Sequence, residues 1–131
     1  MHEDAKWHWG EGIKYALEAI KTLFIINGAA AVSVLTFIGN TKAHYLSLIL
    51  SMVCFAFGVI TGVATQICAY LTQLHYGNAS QVIPPGLPLE HNWAKASRYH
   101  NLTYGFAIAG VVLFVVGVLF AAVGLYAFDS K

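Results

Sequence analysis

The sequence predicts an all-α membrane protein in which three transmembrane helices, led in by an N-terminal amphipathic helix, assemble as an oligomeric helical bundle. Three observations predict it. Of 131 residues, 58% are hydrophobic and only 10% are charged. The charges are so segregated that residues 22–41, 43–89 and 99–128 carry none, in runs of 20, 47 and 30. A hydrocarbon core of roughly 30 Å takes about 20 apolar helical residues to cross, so each run is long enough for a span. Ahead of the first run, apolar residues recur at helical spacing.

That leading segment, residues 4–21, places Ile13, Leu17, Ile20 and Phe24 on one face and Glu11, Lys14, Glu18 and Lys21 on another. It reads as an amphipathic helix. The i,i+3 and i,i+4 charge pairs add only about 0.2–0.5 kcal/mol each. No breaker separates Gly12 from Asn27, so a continuous rod of about 35 residues and roughly 50 Å is expected. A long stretch of mixed charge in this position does not read as a cleavable signal peptide.

The spans are placed at 22–39, 46–72 and 102–128. Between the first two, Gly39-Asn40-Thr41-Lys42 leaves room only for a tight antiparallel turn. The second connection, read as a loop over residues 75–101, holds all three prolines in Ile83-Pro84-Pro85-Gly86-Leu87-Pro88, which break any helix. His91 to His100 reads as a short helical lead-in to the third span. With three crossings the N-terminus and this loop share a side. That side holds Lys6, Lys14, Lys21, Lys95 and Arg98, the other Lys42 and Lys131. The excess places the N-terminus in the cytoplasm.

Each span carries its own polar or small-residue pattern. In the first, Asn27 precedes Gly28-Ala29-Ala30-Ala31, and its amide is expected to pair with Gln66 or with its own copy in a symmetric oligomer. The run from Thr22 through Asn27-Gly28-Ala29-Ala30-Ala31-Val32-Ser33-Val34-Leu35-Thr36-Phe37-Ile38-Gly39 resembles a segment of small bacterial membrane proteins of uncharacterised function. The resemblance covers under a fifth of the chain, points to a bacterial source, and brings no activity with it; a bacterial inner-membrane location is the expectation.

In the second span a helical projection gathers Ser47, Ser51, Gly58, Gly62, Thr65, Gln66, Ala69 and Gln73 on one face, opposite Ile49, Val53, Ile60, Ile67 and Leu71. Amides and hydroxyls need partners inside hydrocarbon, so this stripe is expected to face protein or water. Ser47, Ser51, Thr65, Gln66 and Gln73 are therefore candidates for pore lining or polar packing, and Gly58 and Gly62 for close helix approach. In the third span Thr103, Gly110, Gly117 and Gly124 fall seven apart, a period that keeps one seam against a neighbour.

Several function classes fall away. Seven basic against six acidic residues supply no basic surface for nucleic acid. Cys54 and Cys68 stand about 21 Å apart along one helix, too far for a disulfide, and read as packing residues. Among six histidines, His75 and His100 would meet at one interface and are the candidates for metal or haem. They lack ligand spacing, and no metal site or cofactor is expected. Nor is catalysis, since Glu18 and Glu90 alone assemble no site.

Three readings follow. The first is a homo-oligomeric pore or membrane-permeabilising effector lined by Ser51, Thr65 and Gln66, with symmetry supplying the walls. The second is a non-conducting anchor or regulatory subunit that docks a soluble cytoplasmic partner through the 77–101 loop, with Trp93, Lys95 and Arg98 as contacts. The third is a redox or metal carrier using His75 and His100.

Overall fold

The computed structural model describes residues 3–80 and 89–130. Three helices account for nearly all of them: α1 (Glu3–Thr41, 39 residues), α2 (Leu46–Ser80, 35 residues) and α3 (Leu89–Asp129, 41 residues). No strand occurs among the described residues. All three helices are long and apolar enough to cross a membrane, and the chain is a multi-pass membrane protein. At 1.5 Å per residue they measure about 58, 52 and 62 Å, nearly twice the hydrocarbon thickness.

The N-terminal amphipathic segment and the first span form one uninterrupted rod. Its polar face carries two exposed i,i+3 ion pairs, Lys14–Glu11 at 2.7 Å and Lys21–Glu18 at 3.2 Å, worth little in water. Lys42 ends the rod in the left-handed conformation, φ 56°, and its amide donates to the Ile38 carbonyl at 2.9 Å. This is a helix stop of the kind usually given to glycine or asparagine. The chain reverses within four residues, and the Tyr45 carbonyl accepts from the amides of Leu48 and Ile49 to start α2.

Helix α2 is the central element. It packs along most of its length on α3 and less extensively on α1, whereas α1 and α3 touch sparsely. One such touch is the edge-on contact of Phe37 with Phe128, 5.3 Å between ring centres. Outside these seams the helices expose Ile25, Val32, Leu35, Ile60, Val111, Val112 and Leu119, as a lipid-facing surface requires.

Contacts along α1 and α2 set the register. Asn27 lies on Gly58, Gly62 faces Phe24, and Gly28 faces Val59. One turn further, Lys21 comes level with Thr65. Between Lys21 and Lys42 the rod rises about 30 Å, the thickness of hydrocarbon. All three helices continue past the Lys21 level by 15 residues or more, and this end of the bundle, roughly 25 Å long, is termed the projection. Of the 75–101 segment, read from the sequence as a loop, the described residues are helical: α2 runs to Ser80 and α3 begins at Leu89. Packing between α2 and α3 continues beyond the spans placed at 46–72 and 102–128. Thr72 and Ala96 are both buried, and Tyr76 meets Trp93 edge-on at 5.4 Å. Residues 81–88, with all three prolines, lie outside the described residues.

Candidate functional site

The inner face of α2 is built on two interleaved seven-residue series. Ser51, Gly58, Thr65 and Thr72 make one, Leu48, Phe55 and Gly62 the other, and all are buried. Alternating steps of three and four keep this face on its neighbours, as in a left-handed helix pair. Its hydroxyls are already bonded. Thr65 donates to the Thr61 carbonyl at 2.7 Å and Thr72 to Cys68 at 2.8 Å, the back-bonding available to a hydroxyl in a helix. Ser51 instead crosses to α3 and donates to the Gly117 carbonyl at 2.8 Å.

That crossing depends on the missing side chain at Gly117. A Cβ there would stand 2.7 Å from the Phe55 ring, while at Gly110 it would stand 2.8 Å from Leu23 and 2.9 Å from Thr61 Oγ1. At Gly124 it would stand 2.6 Å from Leu48. The three glycines therefore pack within the subunit, mostly against α2. Ala96, fully buried, extends their period outward from Thr103 by one heptad. Sequence reasoning passed over Ala96 because it sits beyond the apolar run, although the period alone leads to it.

Asn27 pairs neither with Gln66 nor with a hydroxyl. It is fully buried, and its Nδ2 donates to the Leu23 carbonyl one turn back at 2.9 Å. Its Oδ1 has no donor and rests on Gly58, where any Cβ would overlap the amide. The polarised Cα–H of Gly58 is the group in front of it, a weak contact common where helices approach closely.

The expected polar stripe of α2 is thereby divided. Ser51 and Thr65 are interior packing groups, with Gly58 and Gly62 beside them against α1. Ser47 is half-buried next to Gly124. Gln66 and Gln73 are exposed, one step past the seam. The register accounts for this, since Gln66 is one residue beyond the Lys21 level and its amide can reach the headgroup region.

The projection is ordered by aromatic contacts between α2 and α3. His75 stacks on Tyr99, 5.5 Å between ring centres and 3° from parallel, and its Nδ1 donates to Asn92 Oδ1 at 3.3 Å. His100 instead meets Tyr104 edge-on at 4.9 Å. The two histidines are each engaged with a different aromatic ring. Among the described residues no group of three histidine, cysteine or acidic side chains is placed to hold a metal. Trp93, Lys95 and Arg98 are exposed on the first turns of α3, on a helix rather than in a loop. On α2 the same end of the bundle exposes Ile67, Tyr70 and Leu74, and α1 exposes Ile13 and Leu17. Compared with known proteins, the chain matches no family model, no curated protein and no solved structure.

Proposed function

We propose that this chain is a non-conducting membrane anchor or regulatory subunit that presents its helical projection to a soluble partner at the cytoplasmic face of a bacterial inner membrane. The projection carries the reading. It extends some 25 Å past a span taken to end at Lys21, is packed around Ala96, Thr72 and His75, and exposes Tyr70 and Leu74 on α2 and Trp93, Lys95 and Arg98 on α3. An exposed apolar patch with a charged rim is the usual mark of a protein contact. Five of seven basic residues fall on this side, which supports a cytoplasmic orientation.

The seam supports the same reading, because Ser51 and Thr65 are buried and spend their hydroxyls on backbone carbonyls inside the subunit. A homo-oligomeric pore is the second reading, and Gln66 favours it: an exposed amide at the membrane edge is a group that symmetry copies can pair. Ion flux from liposomes, run with wild type and Gln66→Leu at matched incorporation, separates the two. We expect tight vesicles for both proteins. Flux that Gln66→Leu removes would replace the anchor reading with the pore.

A further inference from the structure

At the end of the bundle away from the projection, two openings lie one above the other. The outer is a cavity of about 350 Å³ at the α1–α2 turn, lined by Thr41, Lys42, Ala43, His44, Tyr45 and Phe128. One helical turn deeper is a groove of about 170 Å³ where the three helices meet, bordered by Val34, Phe37, Leu48, Ala121 and Leu125 with Ser33 at its edge. The Phe37–Phe128 ring pair is shared, one ring to each opening.

The two openings differ in chemistry in the order a lipid does. Lys42 closes the 30 Å slab, so the outer cavity stands at headgroup level. Lys42 and His44 are exposed there, and neither has an ion-pair partner among the described residues. Asp129 follows Phe128 nearby without pairing to Lys42. The groove beneath is apolar apart from the Ser33 hydroxyl, which is turned inward to the Ala29 carbonyl at 2.8 Å. A free phosphate would use only the upper opening, and an acyl chain only the lower.

We propose that this is a binding site for one anionic phospholipid, its headgroup phosphate held by Lys42 and His44 and one acyl chain laid between Phe37, Val34 and Leu125. The site is at the opposite end from the proposed partner surface and does not depend on it. Charge at the headgroup gives preference, and the groove gives residence.

The test is native mass spectrometry of the protein in neutral detergent. It is titrated with phosphatidylglycerol, with phosphatidylcholine of the same chains, and with inorganic phosphate as competitor. We expect phosphatidylglycerol to be retained about fivefold over phosphatidylcholine, the worth of one lysine facing an anionic headgroup. Lys42→Asn should bring the two lipids to parity, since asparagine tolerates the left-handed backbone at this position while removing the charge. Ala121→Phe, which fills the groove, should lower retention of both lipids several-fold, with Val34→Phe as the alternative filler and helicity checked by circular dichroism. Equal retention of the two lipids by wild type, or an undiminished preference in Lys42→Asn, would overturn the site. Displacement of phosphatidylglycerol by an equal concentration of inorganic phosphate would overturn the lipid assignment, leaving a phosphate site alone.

Discussion

Gly117 is the position where side-chain absence does most, because it admits the Phe55 ring and at the same time brings its carbonyl to Ser51. Gly117→Ala should cost about 1–3 kcal/mol through overpacking, read as a lower unfolding midpoint in detergent. Adding Phe55→Leu should restore part of that loss, since the clash is with a ring the second substitution removes; a double variant no better than the single would refute the contact. The glycine register was legible in the sequence as a spacing of seven. The exposure of Gln66 and Gln73 on the single chain has an equally local cause. Gathering every polar residue on one face ignores that both amides fall one step beyond the packed series of Ser51, Gly58, Thr65 and Thr72. Leu48 and Phe55 were missed for the converse reason. Large apolar residues suit lipid and seam alike, and only their step of seven, in phase with Ser51, distinguishes them.

At the scale of the element, α2 and α3 are held together over a length that hydropathy does not report. Three helices and the tight turn at Lys42 were readable from uncharged runs, but the ends of α2 and α3 were not. A composition window stops at the first polar cluster, whereas the packing continues through Thr72, His75, Ala96 and Tyr99. Ala96 is fully buried in that extension. Ala96→Leu should wedge the projection open at a cost of about 1–3 kcal/mol. Because Lys95 and Arg98 flank it on the exposed side, trypsin should cut there about tenfold faster as the open fraction grows. The spans should keep their helicity. Unchanged cleavage would mean that α3 stands at this level without support from α2.

For the molecule as a whole, the mechanism turns on where the hydrocarbon ends, and two placements compete. The uncharged run of α2 reaches Leu89, so composition alone would allow lipid as far as Gln73. Helix register instead ends the slab at Lys21 and Thr65, which leaves Gln73 about 12 Å outside it. Single cysteines decide between them in a background with Cys54 and Cys68 replaced by alanine. A membrane-impermeant maleimide should label Gln73→Cys and Arg98→Cys from one face of the membrane. It should label His44→Cys from the other face, and Ile60→Cys from neither. Labelling at residue 73 would establish that Tyr70, Leu74 and Trp93 form their patch in or beyond the headgroup region, where a soluble protein can reach it. Protection of residue 73 to the same degree as residue 60 would put that patch in lipid, where its apolar side chains are satisfied already, and the anchor reading would lose its docking surface.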